Sequence, residues 1–248
     1  MIASNLLTNP ANSANSATSV NSATSDSRSD SGAGTPGPQT LAEAARFAVL
    51  SRVAPMLRHD MAGALQPLGM VAMVMQRRVQ APEPDLPAIA KNAASITSLT
   101  KEAAAGCIDA ISWLAPREEP RVNLRRGVED VLKVLLVELS GCGLEAVNDI
   151  PENSASAPQG YFRTLLAAAL LAFCDEDTGG GHLHISTHSD QARLVLRLIA
   201  AETSVGTAGT RPRCIEWPDV QAIAESLGTT LGRSEDGVTL GLPTSGVA

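Results

Sequence analysis

A histidine followed directly by an aspartate lies within a helical pattern, in the stretch "LRHDMAGALQPLGM" at residues 57–70. A solvent-exposed imidazole is a good nucleophile toward a phosphoryl group, and with a reference pKa of about 6.5 it is partly neutral at neutral pH. The neighbouring carboxylate can hydrogen-bond one ring nitrogen and direct the other nitrogen outward. His59 and Asp60 are therefore the candidate catalytic residues, although a His-Asp pair on a surface is also common by chance.

The apolar spacing around this pair predicts which way the histidine faces. Alternating steps of four and three residues mark a seam that packs against a neighbouring helix. The seam, called here the first seam, consists of Leu57, Met61, Ala64, Leu68, Val71 and Met75. His59 comes two residues after Leu57, a rotation of about 200°, so it is predicted to face outward. The small residues Ala62 and Gly63 leave its imidazole open to an approaching protein surface.

A proline-rich segment, "APEPDLP" at 81–87, ends the first helix, which is predicted from about residue 40 to 80. A second helix follows to about residue 114. Its predicted seam consists of Ile89, Ala93, Ile96, Ala103, Cys107 and Leu114, with Thr100 filling a gap. Two such helices joined by a short breaker form an antiparallel hairpin. One hairpin buries too little apolar surface on its own, so we expect two chains to form a four-helix bundle as a homodimer.

The segment "APREEP" at 115–120 is a predicted linker, after which helix and strand patterns alternate. The predicted fold class is α+β: an N-terminal antiparallel helical hairpin followed by an α/β sandwich, in which helices cover one mixed sheet. The predicted domains are a hairpin at 40–115 and a sandwich at 121–243. Residues 1–38 are low in bulky apolar side chains and are predicted to be a disordered tail.

Composition limits the classes of function. The net charge of −7 and the pI of about 5.1 argue against a nucleic-acid partner. No apolar run reaches the length of a membrane span, and no export signal is evident at the N-terminus. The four cysteines form no CxxC pair, which argues against a structural zinc site and indicates free thiols in a reducing cytoplasm.

Two other polar clusters could bind a metal ion. His182, His184 and His188 recur along one predicted strand and could hold zinc, but a solvated strand face is favoured because no carboxylate or thiol partner is evident. The acidic run at 175–177 could hold a cation, but solubility at a helix end is favoured. We therefore predict no metal site.

The order of the elements resembles the core of two-component sensor histidine kinases, over about residues 45–243. The segment "LRHDMAGALQPL" resembles the H-box of the dimerisation and histidine-phosphotransfer domain. Residues 121–243 resemble the catalytic ATP-binding domain, most closely in "DVQAIAESLGTTLGRSEDGVTLGLP". The resemblance implies that His59 is phosphorylated, that Asp60 assists the transfer, and that the hairpin dimerises.

The ATP-binding half departs from the family. The positions that match the two asparagines of the family's N-box are Ala169 and Phe173, which cannot ligate a hard cation. Where the family has Asp-x-Gly-x-Gly, the chain continues "AETSVGTAGTRPR", in which Glu202 and Gly206 are a poor substitute. We therefore expect no bound nucleotide or other cofactor.

These departures resemble the dimeric, kinase-like histidine phosphotransferases, whose ATP-binding domain is degenerate. The leading hypothesis is a cytoplasmic, homodimeric phosphotransferase of a two-component phosphorelay. It would pass phosphoryl groups to or from the aspartates of response-regulator receiver domains through His59, without ATP-dependent autophosphorylation. Two alternatives stay open: an atypical sensor kinase that still uses ATP, and a non-catalytic scaffold that sequesters a response regulator.

Overall fold

The computed structural model of the protein describes residues 37–114, 120–176, 180–188, 193–200, 213–234 and 237–242. These residues form an α+β fold, which confirms the predicted fold class. The predicted disordered tail up to residue 36 and the predicted linker residues 115–119 lie outside them.

Five helices and seven strands make up the described fold. The helices are α1 (Pro38–Val79), α2 (Leu86–Leu114), α3 (Leu124–Gly141), α4 (Gln159–Asp175) and α5 (Trp217–Ser226). The strands are β1 (Arg121–Asn123), β2 (Leu144–Asn148), β3 (Ser156–Pro158), β4 (Gly181–Thr187), β5 (Arg193–Ala200), β6 (Leu231–Ser234) and β7 (Gly237–Gly241). Within the described residues, none of these helices combines the length and apolarity that a bilayer crossing requires.

Helices α1 and α2 pack against each other as the predicted hairpin, joined by a short turn. All six residues of the first seam are half-buried, whereas most residues between them are exposed, so the predicted phase of α1 is confirmed. Pro87 lies in the first turn of α2, where its missing N–H costs no helical hydrogen bond. Pro55 and Pro67 lie inside α1, which continues through both.

Part of the predicted α2 seam is wrong, because Ala93, Thr100 and Leu114 are exposed. The observed seam of α2 consists of Ile89, Asn92, Ile96, Leu99, Ala103, Gly106, Ala110 and Trp113, and it is flanked by the partly buried Ala88, Ser95, Cys107, Asp109 and Ser112. From Ile89 onward, successive residues of the observed seam are separated by three and then four positions. In the predicted seam, the separation of four positions comes first. Both orders follow a seven-residue repeat, and they differ only in which flank of the seam is covered. Sequence periodicity alone does not decide between the flanks.

The predicted single sheet is two sheets in the structure. The main sheet has the order β2-β4-β5-β7-β6, with β2 and β4 parallel and the other pairs antiparallel. β1 pairs instead with β3 in a separate antiparallel ribbon. The three residues of β3, "SAP", have no apolar alternation and end in proline, so the sequence does not predict this strand.

The core is built around α4, in which every residue from Phe162 to Cys174 is buried. Leu and Ile side chains of β4 and β5 pack against it in one cluster. The N-terminal half of α1 belongs to the same cluster through Ala45, Val49 and Val53. Helix α1 therefore begins inside the core of the sandwich and then leaves it toward its C-terminal end. None of the four cysteines forms a disulfide bond.

Candidate functional site

One face of α1 passes from the protein core into solvent at His59. Ala45, Arg52 and His59 are spaced seven residues apart, so they lie on nearly the same side of the helix. Ala45 and Arg52 are buried against the sandwich, at 0% and 5% exposure. The His59 side chain, two turns further, is 80% exposed. The outward orientation expected from the sequence is observed, and α3 of the sandwich lies across a cleft from the imidazole at this turn of α1.

Asp60 lies beside the imidazole of His59. The His59 Nδ1 and Asp60 Oδ1 atoms are 3.3 Å apart, and the Asp60 side chain is 44% exposed. When Nδ1 carries the proton, it donates to this carboxylate and the lone pair of the second nitrogen, Nε2, is available to an electrophile. The pair thus has the geometry for an oriented nucleophile, while its catalytic role stays a prediction.

A cleft of about 400 Å³ opens beside His59, between the hairpin and α3. Helix α1 contributes Leu57, His59, Asp60, Met61, Gly63 and Ala64; helix α2 contributes Gly106, Asp109 and Ala110; and α3 contributes Asp130, Lys133 and Val134. A methyl group added at Gly63 or Gly106 would meet nothing within 4 Å. Backbone therefore forms part of the walls, and the imidazole can be approached closely.

The sequence did not identify Asp109, Asp130 and Lys133 as site residues. They come from two helices that are distant in the chain from His59, and no motif links them. Their shared position follows from how α3 packs beside the hairpin, which local periodicity does not reveal.

A buried arginine anchors α1 two turns before His59. Arg52 Nη1 donates to Asp175 Oδ2 at 2.5 Å, and its Nη2 donates to Glu138 Oε2 at 2.7 Å. Burial alone would lower the pKa of Arg52, but the hydrogen bonds and charges of Glu138 and Asp175 outweigh it and raise the pKa above its usual value. The guanidinium therefore stays charged and ties α1 to the ends of α3 and α4.

The prediction of a solvated acidic helix end is wrong for Asp175, whereas Glu176 is exposed as predicted, with 39% of its side chain in solvent. The Asp175 side chain is 2% exposed and also accepts a hydrogen bond from the backbone N–H of Ile215. Glu176 accepts from Trp217 Nε1 at 2.8 Å and from Arg233 Nη2 at 2.8 Å. Both carboxylates therefore accept hydrogen bonds from arginine and N–H groups that are distant from them in the sequence. Asp177 lies outside the described residues.

The positions that the resemblance aligns with the nucleotide-binding asparagines are inside the core. Ala169 is 0% exposed, and Phe173 is 6% exposed. The Phe173 ring packs edge-on against Trp217, with centroids 5.0 Å apart, and Arg233 stacks over the outer face of Trp217 at 4.6 Å. Side chains therefore occupy the space around these positions. The loop that contains Glu202 and Gly206 lies outside the described residues.

The histidines of β4 have carboxylate partners that the sequence analysis did not find. His182 Nδ1 lies 3.3 Å from Glu145 Oε2, and His184 Nδ1 lies 2.7 Å from Asp149 Oδ2. The parallel pairing of β2 with β4 brings these acids alongside, which the sequence did not indicate. Each histidine is engaged in a separate pair, and among the described residues no group of three or more His, Cys, Asp or Glu side chains is placed to hold a metal ion.

Several solved structures resemble the chain at low identity. The Acinetobacter baumannii histidine kinase AdeS is 18% identical, with 73% of this chain and 98% of that chain covered and a TM-score of 0.37. A bacterial phosphotransferase solved at 1.7 Å is 13% identical, with 79% and 96% covered and a TM-score of 0.34. The histidine kinase ThkA, in complex with the response regulator TrrA, is 15% identical, with 80% and 63% covered and a TM-score of 0.32.

Each of these TM-scores is below 0.5, so the similarity is partial and assigns no activity to this chain. No protein-family model matches the sequence, and no curated protein sequence matches it. The function of the protein is therefore inferred from the site itself.

Proposed function

We propose that the protein is a histidine phosphotransferase of a two-component phosphorelay and that His59 carries the phosphoryl group. Its partners are response-regulator receiver domains, whose aspartates give or receive the group. The observation that carries this proposal is the exposed, carboxylate-paired imidazole of His59 at the edge of a cleft between two parts of the fold. A reactive side chain that must meet a residue of another protein has to be reachable in this way.

The chemical step is a nucleophilic substitution at phosphorus. The Nε2 lone pair of His59 attacks the phosphorus of an aspartyl phosphate on one receiver, the P–O bond to that aspartate breaks, and its carboxylate leaves. The Nδ1 proton stays hydrogen-bonded to Asp60 and stabilises the imidazolium character of the phosphohistidine. Attack by the aspartate of a second receiver reverses the step. Catalysis of such transfers is mainly positioning and electrostatics.

The packing of α4 favours a phosphotransferase over the ATP-using kinase. A magnesium nucleotide needs oxygen ligands for the metal and donors for three phosphates. Between Leu165 and Phe173 the helix has only apolar side chains, all of them buried. A nucleotide would have to displace Phe173 and Trp217 from their packing. The phosphoryl group would then come from another protein.

We also infer that the hairpin forms a homodimer. Large apolar side chains are exposed along it, namely Leu65, Ile108, Ile111 and Leu114. A groove of about 380 Å³ is lined by Ala54, Leu57, Arg58, Met61, Ala62, Leu65, Ala110 and Leu114. The groove and the His59 cleft share Leu57, Met61 and Ala110. The α1 residues that line only the groove include Arg58, Ala62 and Leu65, and at about 100° per residue they lie on a different side of the helix from His59, Asp60 and Gly63. A second hairpin can therefore cover the groove and leave the cleft open.

We propose that the protein acts in the cytoplasm, since its cysteines form no disulfide, which fits a reducing compartment.

The deciding experiment offers two phosphoryl donors in parallel. The full chain is incubated with radiolabelled phospho-receiver domains from the same organism and, separately, with radiolabelled magnesium ATP. We expect a label on the protein from at least one phospho-receiver, none from ATP, and no calorimetric ATP binding below the millimolar range. Labelling from ATP would favour the atypical kinase. A stable complex with a receiver without any label would favour the scaffold.

A further inference from the structure

Arg163, in the first turns of α4, lies beneath the His59 cleft with 3% of its surface exposed. Its Nη1 donates to Asp109 Oδ1 at 2.7 Å and to Ser112 Oγ at 2.9 Å, both on α2. Its Nη2 donates to Asp130 Oδ2 at 3.1 Å, on α3. One guanidinium therefore joins α4 to both α2 and α3.

The two carboxylates that Arg163 binds lie in different walls of the cleft. Asp109 lines the α2 wall and Asp130 lines the α3 wall, and both side chains keep part of their surface in solvent, at 47% and 37%. The separation between these walls determines what can enter beside His59. Since the same guanidinium holds both carboxylates, it fixes that separation.

Arginine is suited to this task because its planar fork presents several donors in a fixed geometry. The side chain also lies 5.5 Å from the centre of the buried Trp113 ring on α2, which adds a cation–π contact. Buried ion pairs of this kind contribute little net stability compared with apolar packing, whereas loss of one partner leaves charges uncompensated. The benefit of the network therefore lies in the arrangement that it specifies.

The network also sets the charge of the cleft. A phosphoryl group on His59 would be strongly anionic, and Asp60, Asp109 and Asp130 all line the same space. Arg163 carries one positive charge, so it offsets one of the two negative charges of Asp109 and Asp130, and Lys133 on the same lining offsets another. Without the guanidinium, both carboxylates would oppose the incoming phosphoryl group.

We propose that Arg163 is a positioning residue for phosphoryl transfer: it holds the α2 and α3 walls of the His59 cleft at the separation, and with the charge, that a phospho-receiver requires. This inference rests on the proposed function. Arg163, a buried residue of the sandwich, would thereby affect phosphoryl transfer at His59 on the hairpin.

The test compares Arg163→Gln with Arg233→Gln in the full chain. Both variants remove a guanidinium that pairs with a carboxylate and lies over a tryptophan ring, but neither Arg233 nor its partners Glu176 and Trp217 line the cleft. Circular dichroism and thermal unfolding measure how much of each variant is folded. The kinetic readout is kcat/KM per folded molecule, with phospho-receiver as donor, at low and high salt.

We expect Arg163→Gln to lower kcat/KM by about tenfold to 100-fold, because small misplacements of reacting groups have effects of this size. Salt should restore part of the loss by screening the two carboxylates. Arg163→Lys keeps the charge but not the fork and should fall between wild type and Arg163→Gln. Arg233→Gln should stay within about threefold of wild type once corrected for folding. Equal, salt-independent losses in both variants would overturn the proposal.

Hydrogen exchange of the free protein gives a second readout that needs no partner. In Arg163→Gln, exchange should accelerate in α2 around residues 106–114 and in α3 around residues 127–134, because the two walls are no longer tied. Unchanged exchange in these two segments would show that Arg163 does not hold the two walls together. If wild-type protein accepts no phosphoryl group from any receiver, the proposed function fails and with it the role in transfer, while the exchange result still decides whether the walls are clamped.

Should Arg163→Gln fail to fold, Asp109→Asn and Asp130→Asn each release one wall and keep the guanidinium. Each should accelerate exchange in its own helix only. Each single variant should lower kcat/KM less than the double variant that combines Asp109→Asn and Asp130→Asn. Full activity in this double variant would contradict the proposal.

Discussion

Helices α1 and α4 contain the positions at which the resemblance implies chemistry, and the fold places them in opposite environments. α1 leaves the core before His59 and presents its side chain at 80% exposure. α4 keeps Ala169 at 0% and Phe173 at 6%. A residue that exchanges a group with another protein needs access, whereas a nucleotide site needs a cavity lined with polar groups. The fold provides the access and fills the space of the cavity, which favours receiving a phosphoryl group over generating one from ATP.

The largest expected effect comes from removing the exposed nucleophile. His59→Gln should abolish labelling from phospho-receiver, because no other side chain at the cleft offers an uncharged nitrogen nucleophile among the described residues. Folding should be unchanged, since the side chain is outside the core. Autoradiography and circular dichroism measure the two properties.

The control for this prediction is His184→Gln, which removes an imidazole that is also paired with a carboxylate, at 2.7 Å. It lies on the main sheet and should keep full labelling. Labelling that persists in His59→Gln, or that disappears in His184→Gln instead, would remove His59 as the phosphoacceptor.

The second prediction tests whether the packing around α4 leaves room for a polar side chain at Ala169. Ala169→Asn restores the residue type that the resemblance places at this position, but the site is fully buried. It should lower the free energy of unfolding by about 3 kcal/mol, through an unpaired amide and overpacking. It should not create ATP binding. Denaturant unfolding and calorimetry measure these outcomes.

The matched substitution Ala94→Asn, at an exposed position of α2 that lines neither the cleft nor the groove, should cost no more than about 0.7 kcal/mol, from helix propensity alone. Similar losses in both variants would mean that α4 has room at Ala169. A micromolar affinity for ATP in Ala169→Asn would show that the nucleotide site is latent and not filled.

Local sequence patterns were sufficient to predict the hairpin, the phase of α1 and the exposure of His59. The first seam and the proline breaker determine these features within a few turns of chain. The α2 seam was only partly correct, because covering one flank or the other depends on neighbours outside the hairpin. The strand β3 was missed because three residues carry too little pattern.

Long-range ion pairs were the part that the sequence did not reveal. Arg52 and Arg163 are single charged residues in helical segments, and each could have been a surface residue by its spacing alone. Their partners are up to 123 positions away. Only tertiary packing shows that they are buried and paired, and the lining of the cleft by Asp109 and Asp130 follows from the same packing.

A third prediction concerns the orientation of the nucleophile. Asp60→Asn keeps the shape of the side chain but removes the charge that stabilises a phosphorylated imidazole. Transfer from phospho-receiver should slow by about 100-fold, within the range measured for loss of acid–base assistance. Rapid-quench kinetics give the rate constant. A rate within about twofold of wild type would show that the 3.3 Å contact has no role in the reaction.

The smallest expected effect, in energy, concerns the outer flank of the hairpin. Leu65 is 50% exposed in the single chain and lines the groove that a second chain would cover. Leu65→Asp should weaken dimerisation by about tenfold or more, since a carboxylate buried at an apolar interface costs at least about 1.4 kcal/mol. The monomer should keep its fold, because the position is outside the core.

Leu136→Asp, at a residue of α3 that is 61% exposed and distant from the groove, is the control and should leave the dimer intact. Sedimentation velocity over a range of concentrations measures the dimer dissociation constants of both variants. A wild-type protein that sediments as a monomer at micromolar concentration would contradict the dimer, and equal weakening by both variants would place the interface elsewhere than on this flank.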